Sequence, residues 1–364
     1  MKRRDLLIGG GAFAAVAVGA AVVSSEQMGT AADYDAALAA TRTTLPEQAA
    51  TLDLIRYATL APNGHNAQPW LFKASAQRIE ILPDFTRRTP VVDPDDHHLF
   101  ISLGCAAENL SLASAARGRP GTLAFDTAAN GSIAFNFGAG PPDANALFDA
   151  IPKRQSTRAD YDGRPVSATD LRTLSAAAVM PGVDLILMTD RPQINRVRDL
   201  IVSGNDIQMA DEAFIRELKS WLRFNPRQAA ETGDGLYSAA SGSPILPSWL
   251  GPRALDIFLT AKSEREKYVR QMQSSSGVAV FAGSVDDREH WVQVGRACQR
   301  FALQATALGL KHAFVNQPVE VPALRPQLSA LVGMPGRRPD IAMRFGYGPL
   351  LPYSPRRVAS MSIS

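Results

Sequence analysis

Two stretches of this chain can be laid over one another, and that self-similarity limits its possible folds more than any other feature. Placing "ISLGCAAENLSLASAARGRP" (from Ile101) over "VQVGRACQRFALQATALGLK" (from Val292) puts Gly104 on Gly295, Ala106 on Ala297, Leu112 on Leu303, Ala116 on Ala307 and Gly118 on Gly309. Both read as alanine-rich helices, apolar almost all round, with small residues on one face and a glycine just past the end. Such a helix must be buried on most sides, so two copies predict a pair packed at the centre of a molecule with two similar halves. Chance likeness between two Ala/Leu-rich helices is the competing reading, and the flanks weigh against it. Each helix follows a short charged segment, "DPDDHHLF" or "SVDDREHW". Strand-like runs precede them ("QRIEILPD", "GVAVFAG") and follow them ("GTLAFDT", "DIAMRFGYG"). The expected fold class is α+β, two tandem halves forming an internal pseudo-dimer, each an antiparallel or mixed sheet packed by helices. The halves are placed at 45–145 and 150–358.

A length of 364 residues accommodates two such units, and 46% apolar with 20% charged residues is the balance of a folded globular chain. The formal charge of +3 is small and its basic residues are scattered, which argues against a nucleic-acid partner. Cys105 and Cys298 are the two cysteines, too few for a disulfide scaffold or a cysteine-rich metal site. Residues 1–25, "MKRRDLLIGGGAFAAVAVGAAVVSS", join a basic start to an uncharged apolar run, the pattern of an export signal or anchor. The Arg3-Arg4 pair resembles a twin-arginine signal, which gives a periplasmic or membrane-tethered location. The alternative is a buried N-terminal helix in a cytoplasmic protein, against which the Gly9-Gly10-Gly11 run counts.

Between about 203 and 276 the second half carries material that the first lacks. A helical pattern, "DIQMADEAFIRELKSWLRF", is followed by the Gly/Ser/Pro-rich "GDGLYSAASGSPILPSWLGP" and another helical stretch. The reading is a lid, with a solvent-exposed insertion as the alternative.

The chain has no G-x-S-x-G elbow, phosphate-binding P-loop, H-E-x-x-H helix or G-x-G-x-x-G turn, which excludes the common hydrolase, NTPase, zincin and Rossmann signatures. Adjacent acids and histidines in "DPDDHHLF" are metal-ligand types, but acids just ahead of a helix more often cap it, and no metal site is assigned. Two segments remain. In "LAPNGHNAQPW", Asn63, His65, Asn66 and Gln68 follow at short spacing with Gly64 among them, an amide-rich set suited to the mixed donor and acceptor edge of a heteroaromatic ring. A capped turn after a helix is the alternative. In "PKRQSTRADYDGRPV", two guanidiniums and two hydroxyls fall between Arg154 and Arg158, as a phosphate requires, although an exposed basic loop has the same composition. Arg356 and Arg357 add charge near the C-terminus.

With these motifs the sequence resembles the FMN-dependent nitroreductase superfamily. The Arg-x-Ser-x-Arg segment, Arg154 to Arg158, is similar to the one that holds the FMN phosphate and ribityl chain. "APNGHNAQPWLF" is similar to the segment that, in the family's homodimers, reaches the partner's flavin. The fused arrangement resembles the Acg-like branch, in which one chain supplies both subunits. The place for Arg-x-Ser-x-Arg in the first half holds only "TRTTLPE", and the Gln-Pro-Trp loop of the second has shrunk to "VMPGVDL". The resemblance therefore implies one FMN per chain and a monomer. The implied site takes Asn63, Gly64, His65, Asn66 and Gln68 from the first half. From the second it takes Arg154, Gln155, Ser156, Arg158, Ala313, Phe314, Asn316, Arg356 and Arg357. It further implies an oxidoreductase that passes a hydride through flavin N5 from NAD(P)H to a nitroaromatic, a quinone or another acceptor. No residue is assigned as catalytic. The alternative function is a flavin-sequestering protein whose insertion covers the FMN.

Overall fold

A computed structural model describes residues 28–362 apart from 129. The segment expected to direct export lies outside the described residues.

The first unit runs through α1 (Ala31–Arg42), α2 (Thr51–Ala58), β1 (Trp70–Ala74), β2 (Arg78–Pro83), α3 (His97–Ala115), β3 (Gly121–Asp126) and β4 (Ser132–Phe137). After α4 (Ala146–Ala150), the second begins with α5 (Ala168–Ala177) and β5 (Val183–Met188). Next come α6 (Arg191–Ala210), α7 (Glu212–Trp221), β6 (Leu222–Arg223), α8 (Pro226–Thr232), β7 (Leu236–Tyr237), α9 (Gly251–Phe258) and α10 (Ala261–Gln273). It closes with β8 (Gly277–Gly283), α11 (Arg288–Ala307), β9 (Lys311–Phe314), α12 (Gln317–Glu320), α13 (Arg325–Leu331) and β10 (Ile341–Gly346).

The two large sheets have one topology. The first is ordered β1-β2-β4-β3 and the second β5-β8-β10-β9, antiparallel throughout. Substituting β5, β8, β9 and β10 for β1, β2, β3 and β4 turns one order into the other. In each unit a helix leads into the first strand and the central helix, α3 or α11, joins the second strand to the third. This alignment corrects one expectation: "GTLAFDT" is β3 and corresponds to β9, while the counterpart of "DIAMRFGYG" is β4, whose "SIAFNF" the sequence reading did not single out. It also moves the start of the insertion. β1 and β2 are joined by residues 75–77, β5 and β8 by residues 189–276, so the extra material begins directly after β5. Its first helical pattern is two helices, because Asp211 ends α6 and caps α7 by accepting from the Ala213 amide at 2.7 Å.

The central helices meet at their glycines. A Cβ on Gly104 would lie 2.1 Å from the Val292 carbonyl oxygen, and one on Gly295 would lie 2.0 Å from that of Ile101. The contact is reciprocal, and it is closed by backbone, which cannot rotate aside. Beyond the crossing the partners differ. Glu108, buried on α3, accepts from Arg296 and Arg300 of α11 at 2.9 and 2.8 Å, and Gln299 donates to Asn109 at 2.6 Å. The "DPDDHHLF" segment caps α3: both Asp93 carboxylate oxygens accept backbone amides, from His98 and Leu99, at 2.9 Å. Just past its end, Gly118 takes a φ of +70°, the left-handed turn that favours glycine.

The sheets are buried unequally. β2 alternates, with Ile79 and Ile81 in the core and Arg78 and Glu80 part-exposed. β8 and β10 are buried along their whole length, as strands covered on both faces must be. Ala279, Phe281, Ile341, Met343 and Phe345 join the main core around α3 and α11. On the other face Val278, Val280 and Ala342 pack against Ile194, Val197 and Ile201 of α6 and Met272 of α10. The first helix and the last helix of the insertion therefore form the second sheet's outer layer.

Candidate functional site

The loop between α2 and β1 is held in a strained shape. His65, Asn66 and Gln68 all have left-handed backbones, φ 49°, 55° and 55°, a conformation that costs a side-chain-bearing residue about 1–3 kcal/mol when nothing compensates it. The compensation comes from far along the chain. Asn66 donates to the carbonyls of Gly235 and Pro355, each at 3.0 Å, and accepts from Arg356 at 2.7 Å. Gln68 donates to the Gly233 carbonyl at 2.8 Å and accepts from the Arg357 amide at 3.0 Å. Arg356 also donates to the carbonyls of Thr59, Leu60 and Ala61, at 2.7, 3.3 and 3.1 Å. Within the loop, Asn63 accepts from the Gln68 amide at 2.7 Å.

This clamp presents Pro62, Asn63, Gly64 and His65 to a cavity of about 470 Å³. The second unit contributes Arg158, Phe314, Asn316 and Ile341, and α3 contributes Ile101, Ser102 and Cys105. The insertion forms an apolar roof with Phe214, Leu218, Leu222, Leu246 and Leu255, together with Tyr268. The volume and the apolar walls with a few convergent polar groups are those of a small-molecule site. Among the described residues nothing lies within 4 Å of a Cβ built on Gly64, so its exposed backbone meets open space.

Arg158 reaches the cavity because the Thr157 amide donates to the His312 carbonyl at 2.8 Å and Ser156 bridges to His312, laying residues 154–158 along β9. Arg344 fixes the same segment, donating to the carbonyls of Thr157 and Ala159 at 3.1 and 2.7 Å. Among the described residues the Arg158 guanidinium has no carboxylate partner. Burial lowers its pKa while the Tyr268 and Tyr161 hydroxyls raise it, and a guanidinium stays charged throughout. Asn316 is held by the Ala342 amide, from which it accepts at 2.9 Å.

Behind the cavity lie three buried guanidiniums, those of Arg42, Arg154 and Arg356. Arg154 donates to the Leu60 carbonyl at 3.1 Å, but its Nε and Nη1 are buried without an acceptor, as is Nε of Arg42. Burial pushes Arg154 and Arg42 down to about 10; Arg356 is lowered by burial and then by its two neighbours. The groups acting on Arg154 are Cys105, which lines the cavity, Cys298 and Tyr353. Buried cations are ordinarily paired, so donors left unpaired beside a cavity are the feature expected of an anion site.

Asn63, Gly64, His65, Arg158, Phe314 and Asn316 converge on one cavity. The other residues of the expected set lie elsewhere. Asn66, Gln68, Arg356 and Arg357 make the clamp, because buried amides and guanidiniums take the nearest carbonyls. Gln155 anchors the C-terminal segment, donating to the Leu351 carbonyl at 2.8 Å and accepting from its amide at 3.0 Å. Ser156 and Ala313 belong to the strand contact itself, and Arg154 stands behind the wall. Arg42 comes from "TRTTLPE", a stretch the sequence treated as empty. Gln208, Glu320 and Tyr268 on the wall were missed, since nothing in their local pattern sets them apart, and His98 was weighed only as a metal-ligand type.

His65 is pushed down to about 4, first by burial and then by Arg158 and His98, so it is neutral near pH 7. Ligand-type atoms of Asp93, His97 and His98 lie within 4.8 Å of one another. The Asp93 oxygens are engaged by the α3 amides, and His97 Nε2 lies 2.7 Å from Asp340, which together account for this cluster as a cap and a buried pair.

No family model matches the chain. Over 342 residues it is 26% identical to the Mycobacterium tuberculosis protein named "Putative NAD(P)H nitroreductase Rv3131", an alignment covering 89% of this chain and 94% of the relative. A second protein of that organism, "Putative NAD(P)H nitroreductase acg", is 24% identical over 335 residues, 86% of this chain and 96% of its own. Among solved structures, the chain is similar to the FMN-dependent nitroreductase NfnB from Mycobacterium smegmatis in complex with NADPH. That match has a TM-score of 0.37 and 12% identity, covering 56% of this chain and 87% of the other. A nitroreductase with bound FMN from Desulfitobacterium hafniense matches with a TM-score of 0.36 and 16% identity, covering 59% and 94%.

Proposed function

We propose that the chain is an FMN-dependent NAD(P)H oxidoreductase of nitroreductase type, with one FMN in the cavity between its two units. The observation that carries this reading is the composite cavity: Asn63 to His65 come from one unit, Arg158, Phe314 and Asn316 from the other, and among the described residues Arg158 has no carboxylate partner. The named relatives support it over most of the chain's length. The donors present fit the cofactor. Arg158 and the Asn63 and Asn316 amides, which line the cavity, suit the phosphate or the polar edge of a flavin. Bound FMN would supply hydride acceptance and transfer. The residues of this chain would orient the ring, and the apolar roof would keep water from it.

In this reading the units, about 45–145 and 150–358, act as an internal pseudo-dimer and the protein is a monomer. The acceptor is a nitroaromatic or a quinone, and residues 1–25 direct export by a twin-arginine route. Protein purified with one flavin per chain, bleached anaerobically by NADPH, is the expected result; colourless protein would refute the reading. The roof favours a second reading, a protein that sequesters FMN with little turnover. A bound flavin that stays yellow under excess NADPH would select it.

A further inference from the structure

Two carboxylates lie on the cavity wall among the described residues, Glu264 and Glu320. Glu264 is neutralised by Lys267. Glu320 sits one helical turn beyond Asn316, its amide donating to the Asn316 carbonyl at 2.8 Å, so the two share a face of α12 and both line the cavity. No arginine or lysine among the described residues pairs with Glu320. Gln208 of α6 donates to Oε2 at 2.6 Å, and Nδ1 of His98 on α3 stands 4.0 Å from Oε1. The other titratable groups around it are Asp93 ahead of α3, Glu217 on α7 and Tyr268 on α10. Burial, reinforced by Asp93 and Glu217, raises its pKa, while His98 and Gln208 oppose the rise.

From this placement we infer that Glu320 is the proton donor to the electron acceptor, with His98 beside it as a positioning residue. The inference rests on the oxidoreductase reading and gives the acceptor a class: one whose two-electron reduction takes up a proton, such as a quinone. The balance is simple. A quinone gains one hydride, whose electrons derive from NAD(P)H, forming a C–H or O–H bond. Its remaining oxygen takes one proton from the Glu320 carboxyl, giving the hydroquinone and a carboxylate. The carboxylate regains its proton from solvent when the product leaves the cavity, and His98 Nδ1, 4.0 Å from Oε1, keeps that oxygen in place. Gln208, fixed to the other carboxyl oxygen, keeps the donor turned toward the cavity.

The test uses the full FMN-loaded chain and compares reoxidation by a quinone with reoxidation by ferricyanide, which takes electrons without a proton. Glu320→Gln should slow the quinone reaction by about 100-fold more than the ferricyanide reaction, at the low end of general acid catalysis. Glu320→Asp should recover part of the loss. His98→Gln should give a smaller loss with the quinone and none with ferricyanide. In the parent protein the quinone rate should fall as pH rises and Glu320 loses its proton; in Glu320→Gln that dependence should vanish. An infrared carboxylic-acid band that titrates in the parent and is missing from Glu320→Gln reports the same group without turnover. Equal slowing with both acceptors, no slowing with either, or no such band would overturn the inference. Absence of bound flavin, or of bleaching by NADPH, would instead defeat the oxidoreductase reading.

Discussion

The two units share a strand order and a central helix, and they part at two connections. Ahead of the first strand, the first unit has the long clamped loop at 59–69, where the second has residues 178–182. Between the first two strands the relation is reversed, residues 75–77 against 189–276. Each unit therefore carries one elaborated connection where the other is minimal, and the two elaborations meet: Gly233 and Gly235 of the insertion accept from Gln68 and Asn66 of the loop. Two identical subunits would build the same site twice. Here the shared framework supplies rigidity, and the parts that differ build a single cavity.

The largest effect should come from breaking what the units share. Gly295→Leu places a side chain against the Ile101 carbonyl, and since backbone cannot yield, we expect a loss of about 3 kcal/mol or more and little folded protein, read by thermal melting. Gly64→Ala, where nothing lies within 4 Å and φ is not positive, should leave the melt unchanged. Next is the clamp. Arg356→Ala strands the buried carbonyls of Thr59, Leu60 and Ala61 and the Asn66 amide oxygen, and should cost about 3 kcal/mol in urea unfolding. A loss below about 1 kcal/mol would mean that the loop holds its shape without the C-terminal segment.

Arg158→Ala tests the cavity itself. Flavin affinity should fall roughly ten- to a hundredfold by titration, while the flavin-free protein should be no less stable, because a cation without a carboxylate partner has been removed. The smallest effect is in the pH dependence of His65. Its pKa in the folded state, about 4, lies below the ordinary value of 6.5, so the folded protein binds fewer protons than the unfolded chain between those limits. Its contribution to stability is complete above pH 6.5 and is lost as pH falls toward 4. His65→Gln should flatten that part of the profile for the flavin-free protein. His97 and His312, also driven down by burial, should leave a residual slope.

Much of the frame was legible. The helix pair was readable because burial on most sides favours small and apolar residues over most of α3, and Gly104 over Gly295 marked the crossing. β2, β3, β8 and β10 followed from alternation or from unbroken apolar runs. In the site, Asn63, His65 and Arg158 were found because amides and guanidiniums cluster there in sequence. Asn66 and Gln68 belong to the same motif, yet their side chains are used to hold the loop. A motif shows which chemistry is present and leaves open which atoms face a ligand.

The sequence by itself determined that the chain has two similar α+β halves with one retained loop and one retained Arg/Ser segment, because burial pattern and residue chemistry are local properties. Only the tertiary structure decided that Arg356 and Arg357 serve the loop, that Arg42 joins Arg154, and that Glu320 and His98 stand side by side on one cavity wall. Those relations join residues far apart in the chain, and they depend on which carbonyls and charges are left unsatisfied once the two units have packed.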